Sequence, residues 1–217
     1  MDSRTIWDHT SKLVELAGSD APLPEVLTEV VNAARLLTEE QCRVALFIHD
    51  LDNACLNLGA NGGMPDGYVL AIQGFKVGEH QPSCGRAAFI GDEVIVPDLS
   101  LDSRWAPCLD LAQEYSIKAC WSFPILSSTT VLGTLAVYHD SCTTPVSGQA
   151  EALRYLATIA SAAIGRSQVK AAVDQAALQP TQRAEMAPAG ARTGHGLPSL
   201  RRYVASASGV RDHESDR

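Results

Sequence analysis

The two runs Ala119–Leu126 and Val131–His139 constrain this chain more than any other feature. Both are short and apolar, and the small polar stretch Ser127-Ser128-Thr129-Thr130 joins them, so together they read as an antiparallel hairpin. Alternation along the first run puts Cys120, Ser122 and Pro124 on one face and Ala119, Trp121, Phe123 and Ile125 on the other. The second set is bulky and must be covered by an apolar layer. The first is small and mildly polar, which suits a cleft over a half-covered sheet. The hairpin therefore asks for a sheet with two unlike faces.

Three further strands precede it. Val44 to Ile48 is a short apolar run bounded by polar residues. Cys55 to Ala60 follows the turn-rich Asp50-Leu51-Asp52-Asn53, which suggests a second hairpin. Glu93 to Val96 is brief and is stopped by Pro97. Helical spacing brackets these strands. Ile6, Thr10, Leu13 and Leu16 mark a helix from Thr5 to Ala17, and after the breaker at Gly18 the stripe Leu27, Val30, Val31, Ala34 and Leu37 marks another, with Pro24 in its first turn. Short helices are expected over Asp66–Ile72, from Ser83 to just before Gly91, and over Leu109–Tyr115. A last helix begins near Ser147 and carries Leu153, Leu156, Ala157, Ala160, Ala163 and Ile164 on one face, its small residues suited to close helix–helix approach. Beyond Val173 the pattern dissolves, and residues 187–196 have the composition of a linker. Strands in the middle and helices at both ends make an α+β chain. The expected boundaries are 1–20 for an N-terminal helix, 21–170 for the domain and 171–217 for a disordered tail.

Hydrophobic residues make up 46% of the 217, enough for a real core, and the net charge of −8 removes the electrostatic footprint that nucleic acid or an anionic membrane requires. The N-terminus lacks the apolar segment of a secretion signal, and no stretch of about 18 apolar residues could span a bilayer. A cytoplasmic protein is the expectation. Six cysteines occur without any Cys-x-x-Cys pair, against a zinc site or a thioredoxin-like pair and in favour of buried thiols. Gly-x-Ser-x-Gly, phosphate-cradling Gly-x-x-x-x-Gly-Lys and Gly-x-Gly-x-x-Gly sequences are absent.

Between Gly78 and Tyr138 the motifs occur in a familiar order. They are Pro82-Ser83-Cys84-Gly85-Arg86-Ala87-Ala88, Val94-Ile95-Val96-Pro97-Asp98-Leu99, Asp102-Ser103-Arg104-Trp105, Lys118-Ala119-Cys120-Trp121-Ser122-Phe123-Pro124-Ile125 and Val131-Leu132-Gly133-Thr134-Leu135-Ala136-Val137-Tyr138. In order and spacing this set resembles the GAF domains of bacterial sensor kinases and cyclic-di-nucleotide signalling proteins, over about Pro24 to Arg166. The resemblance implies an α+β fold with a six-stranded antiparallel sheet, terminal helices on one face and short helices and loops over a pocket on the other. It also implies a regulatory, small-molecule-sensing homodimer, joined through the helices Thr5–Ala17 and Ser147–Arg166, with no catalysis and no metal of its own. The ligand and cofactor stay unidentified. No kinase, cyclase or helix-turn-helix signature occupies the final fifty or so residues, so either an output protein would be engaged in trans or the output piece is absent.

The ligand-binding set implied is Ser83, Cys84, Ala88, Asp98, Trp105, Cys120, Ser122 and Tyr138. Ser83 can cap a helix that faces the cleft, Asp98 can cap the loop through Trp105, and Trp105 can close the pocket. Three alternatives stand beside this reading. Free methionine-R-sulfoxide reductases share the fold and use several cysteines; Cys84 lies in a similar Cys-Gly-x-Ala context, but Cys108 and Cys120 fall at other spacings. A chromophore sensor would want a histidine beside its cysteine, whereas His80 stands four residues before Cys84; His49 and His139 are the strand histidines open to a haem. The last alternative is a structural dimer with no ligand.

Overall fold

The structure is a computed structural model and describes residues 3–38, 42–128 and 130–185. Helices α1 (Ser3–Gly18) and α2 (Leu23–Leu37) lead into β1 (Arg43–Asp50) and β2 (Cys55–Gly62). Next come α3 (Asp66–Ile72), β3 (Phe75–Lys76), α4 (Ser83–Ile90), β4 (Val94–Val96) and α5 (Leu109–Glu114). The hairpin β5 (Ala119–Leu126) and β6 (Val131–His139) then precedes α6 (Gln149–Glu185). Residues 1–177 form one compact unit; of a second unit, 178–217, the structure describes only the helical backbone through Glu185. Of the expected tail 171–217, residues 171–185 continue α6, and the rest, with the linker at 187–196, lies outside the described residues. Helix α6 runs past Val173, where its apolar stripe ends, because its later residues, such as Ala171, Ala172, Gln175 and Ala176, are good helix formers.

All six strands pair antiparallel in the order β3-β2-β1-β6-β5-β4. Five are the strands expected from pattern. The sixth, β3, has two residues and pairs Cys55 and Leu56 with Lys76 and Phe75, too short to leave a period in the sequence. Pro124 sits inside β5 without breaking it. Strand β4 pairs only with Cys120 to Ser122, so β5 is already an edge at Pro124, where a missing donor is tolerated.

Alternation sorts the core into two layers. Val44, Leu46, Trp121, Phe123, Ile125, Leu135 and Val137 face the terminal helices, meeting Leu27, Val30, Val31 and Ala34 of α2 and Leu153, Leu156, Ala160 and Ile164 of α6. Ala45, Phe47, Cys120, Ala136 and Tyr138 face the other way, under Tyr68 of α3, Cys84, Ala87 and Ala88 of α4, and Trp105. Each fully buried Leu or Phe contributes about 1.5–3 kcal/mol, so the helical layer is the larger store of stability. Thr38 ends α2 by donating its hydroxyl to the Ala34 carbonyl (2.7 Å), and the Cys42 sulfur lies 2.7 Å from the same hydroxyl.

Two outcomes follow from this packing. A Cβ at Gly133, where β6 lies between β1 and β5, would overlap the Phe47 carbonyl and come within 3.2 Å of the Ile48 Cα, both backbone atoms that cannot turn aside. Gly133→Ala should therefore lower the unfolding free energy by about 1–3 kcal/mol, read from the urea midpoint. The second concerns His139, whose ring centroid lies 4.0 Å from that of Trp121 and whose buried Nε2 has no hydrogen-bond partner. Burial pulls its pKa below the ordinary value, partly opposed by Asp140. The unfolded chain then takes up the proton first, at about pH 6.5, so stability falls as the pH drops below that value and levels off once the folded ring also protonates. His139→Phe should lose less stability than the wild type between neutral and mildly acidic pH.

A candidate ligand pocket over a buried thiol cluster

Helix α4 is brought onto the sheet by its glycines. A Cβ at Gly85 would strike the Lys76 carbonyl and stand 2.7 Å from the Gln81 Cβ, so glycine lets the first turn lie against the end of β3. Gly91 stops the helix in the left-handed region (φ 68°), its N–H donating to the Ala87 carbonyl at 3.0 Å. The first turn thereby delivers Ser83 and Cys84 to the face of β5 and β6 that carries the small side chains. Ser122 pairs with Ala136 across the ladder, and the absence of bulk at Ala136 leaves room for the Cys84 sulfur.

Four polar groups meet there out of water. Cys84 Sγ lies 3.0 Å from Ser122 Oγ and 3.5 Å from the Tyr138 hydroxyl, and Cys120 Sγ lies 3.8 Å from the same Ser122 Oγ. Beside them the Trp105 indole N–H donates to Ser83 Oγ at 3.0 Å. Burial pushes the Cys84 thiol up, but hydrogen bonds from Cys120, Ser122, Tyr138 and Thr134 outweigh it and hold the thiol below its ordinary value. Cys120 moves the opposite way, raised well above the ordinary thiol by burial and by its bond to Cys84. Within the pair Cys84 is the thiolate-forming member and Cys120 keeps its proton. Tyr138 is likewise raised, by burial first and then by both sulfurs, and stays a donor.

Above the cluster is a cavity of about 90 Å³ lined by Tyr68, Ile72, Phe75, Gln81, Pro82, Cys84, Trp105, Cys108 and Tyr138. Tyr68 stands edge-on to both Tyr115 (5.5 Å) and Tyr138 (5.9 Å), which props the roof on the floor. A wider groove of about 550 Å³ runs between the α1–α2 turn and α6, but its Arg166 guanidinium already donates to the Ala17 carbonyl. The smaller cavity is the one into which buried polar groups converge.

Of the eight expected site residues, Cys84, Trp105 and Tyr138 line this cavity, and Ser83, Cys120 and Ser122 stand behind its wall. Ala88 is buried in the same layer without lining the cavity, and Asp98 lies outside it. Ser83 does not cap α4: the cap position is Pro82, and the Ser83 hydroxyl serves Trp105 instead. Asp98 caps the first of two short 3-10 turns, accepting from the Ser100 N–H (2.9 Å) and hydroxyl (2.6 Å), and Asp102 caps the second through the Arg104 N–H (3.0 Å). Neither His49, bonded to the Val131 carbonyl, nor His139, stacked on Trp121 in the other layer, lines the cavity. Among the described residues no cluster of three or more histidines, cysteines or acids could hold a metal ion.

Pro82, the first residue of its motif, and Tyr68, Ile72, Phe75, Gln81 and Cys108, which belong to none of the quoted motifs, complete the lining. Cysteine exposure is uneven: Cys42, Cys55, Cys84 and Cys120 are buried, Cys108 is half-buried, and Cys142 is exposed, contrary to a uniformly buried set.

The electrostatics predict a pH signature. Alkylation of Cys84 by a small uncharged reagent should reach half-maximal rate below the midpoint of an ordinary thiol, about pH 8.5, and Tyr138→Phe or Ser122→Ala should each move that midpoint upward. Mass spectrometry of the alkylated peptides reads the profile.

Comparison with known proteins agrees with this architecture. The chain is 33% identical over 167 residues to the methyl sulfide methyltransferase-associated sensor of Methanosarcina acetivorans, covering 76% of this chain and 16% of that much longer relative. The GAF domain of a phosphoenolpyruvate-protein phosphotransferase from Coxiella burnetii superposes with a TM-score of 0.66 at 17% identity, covering 79% of this chain and 99% of that one. Free methionine-R-sulfoxide reductase from Neisseria meningitidis superposes at 0.60 with 16% identity, covering 76% and 95%. At these identities the two structural likenesses speak for the fold alone. Residues 22–164, most of the chain, match the model of the GAF domain, and the chain belongs to that family.

Proposed function

We propose that this chain is a regulatory module that senses a small molecule in the cavity under α4 and transmits the occupancy through its terminal helices, without catalytic turnover. The observation that carries the reading is the half-open cavity whose floor is a satisfied polar cluster (Cys84, Ser122 and Tyr138) and whose walls are aromatic and aliphatic. A few placed polar groups in a mostly apolar concavity are what small-ligand recognition requires. The Methanosarcina relative, described as a sensor, adds support. Transmission has a physical route, because α1, α2 and α6 pack on the opposite face of the strands that floor the cavity.

The terminal helices also suit self-association. Val14 of α1 and Tyr155, Val169 and Val173 of α6 are apolar and exposed, an arrangement that a second copy of the chain would cover. A homodimer acting on an output protein in trans is the form we propose.

The reductase reading meets two obstacles at the cavity. Free methionine sulfoxide is a zwitterion, and among the described residues the lining carries no charged side chain to meet either end. The space is also well below the roughly 300–1,000 Å³ of sites that enclose drug-sized ligands.

Native mass spectrometry of the untagged chain tests the proposal. A dimer is expected, and Tyr155→Glu together with Val169→Glu should shift it to monomer while leaving any mass bound in the cavity in place. A bare monomer at micromolar concentration, unchanged by those substitutions, would overturn it.

A further inference from the structure

We propose that the molecule admitted to this cavity is a small hydroperoxide, and that Cys84 and Cys120 are the thiol pair it oxidises to a disulfide. The inference rests on the sensing reading above and names the chemistry of its ligand. Size is the first argument. A half-open space of about 90 Å³, smaller than a cavity of about 150 Å³ that takes benzene, favours a molecule as small as hydrogen peroxide or a short alkyl hydroperoxide against its floor. Charge is the second. The lining is uncharged among the described residues, so an ionic ligand would lose its hydration without replacement, whereas a hydroperoxide is neutral.

The third argument is what the floor offers. Cys84 both lines the cavity and touches the cluster, so a molecule inside the cavity meets a sulfur held toward its thiolate by several donors. A second thiol, Cys120, shares the Ser122 hydroxyl with it. Thr134, fully buried in the same layer, adds a hydroxyl that acts on the same sulfur. The other buried cysteines sit in ordinary packing: Cys42 against Thr38, Cys55 beside Asn57.

The chemistry balances on these groups. The Cys84 thiolate attacks one peroxide oxygen, the O–O bond breaks, and the departing oxygen leaves as water or an alcohol once protonated. Cys84 is then a sulfenic acid. The Cys120 sulfur attacks it, the S–O bond breaks as the S–S bond forms, and a second water leaves with the Cys120 proton. Two thiols supply the two electrons that reduce one hydroperoxide. The product ties the first turn of α4 to the start of β5 and takes both sulfurs from the Ser122 hydroxyl, so oxidation repacks the floor on the face opposite the terminal helices.

The test uses the reduced full chain, with exposed Cys142 as the internal reference. Hydrogen peroxide is added at neutral pH, free thiols are alkylated at intervals, and trypsin releases Cys84 in residues 77–86 and Cys120 with Cys142 in residues 119–154. Cys84 is expected to be consumed at least about tenfold faster than Cys142, as its thiolate character requires, with fragmentation placing the new bond on Cys120. Cumene hydroperoxide, too bulky for the cavity, is expected to lose that preference. Cys120→Ser should stop at a sulfenic acid on Cys84 that dimedone captures. The proposal is overturned if Cys84 reacts no faster than Cys142, if the bond forms to Cys142, or if both peroxides show the same selectivity. A Cys84–Cys120 link in a chain that native mass spectrometry finds monomeric and unresponsive sustains the thiol chemistry and sinks the sensing role. A ligand-bearing dimer with Cys84 inert to peroxide does the reverse.

Discussion

Everything in this domain hangs on the two-residue period of β5 and β6. Along β5, Trp121, Phe123 and Ile125 point into one layer and Cys120 and Ser122 into the other, and the ladder sets Val137 and Leu135 beside the first group and Tyr138 and Ala136 beside the second. A register slip of one residue would put bulky apolar groups where the cavity is and thiols against the helices. The pairing of β6 with both β1 and β5 holds the register, and Gly133 leaves no side chain against the neighbouring backbone of β1.

Because the sheet is covered on both sides, polar groups on the small face cannot reach water and must satisfy one another. That requirement ties α4 to the sheet. Cys84 reaches Ser122 and Tyr138, and Ser83 takes the indole N–H of Trp105, which arrives from the loop after β4. Each such bond contributes only about 0.5–1.5 kcal/mol net, but leaving a partner unmet would cost more, so the cluster specifies one docking of α4 and its loop. The same low-dielectric setting separates the two thiols electrostatically: stabilising charge on Cys84 raises the cost of charge on Cys120. A pair of unlike thiols results from burial plus hydrogen bonding, with no metal or basic side chain involved among the described residues.

The cavity above the cluster is narrow because the roof is aromatic. Tyr68, Phe75 and Trp105 occupy space beside the cluster that smaller side chains would leave open. Volume and the uncharged lining are the two features on which the proposal of a small neutral ligand rests.

Much of this was legible in the sequence. Strand alternation gave the two faces of β5, helical spacing gave α2 and the buried face of α6, and the breakers at Gly18, Pro97 and Gly91 marked element ends, because these features act over a few residues. The motif set from Pro82 to Tyr138 carried the family, and Cys84, Trp105 and Tyr138 among its residues do line the cavity. Other features needed the tertiary structure. Strand β3 is two residues long and exists only because β2 is there to pair with it. Ser83 reads as a cap from its place before a helix, yet Pro82 takes that position and frees the hydroxyl for a partner 22 residues away. The remaining lining, from Tyr68 to Cys108, comes from segments whose local patterns say nothing of one another. The sequence by itself determined the faces, since alternation is a local property of the backbone. Only the tertiary structure decided which polar groups meet across them and how much room is left, because hydrogen-bond satisfaction and cavity volume depend on residues far apart in the chain.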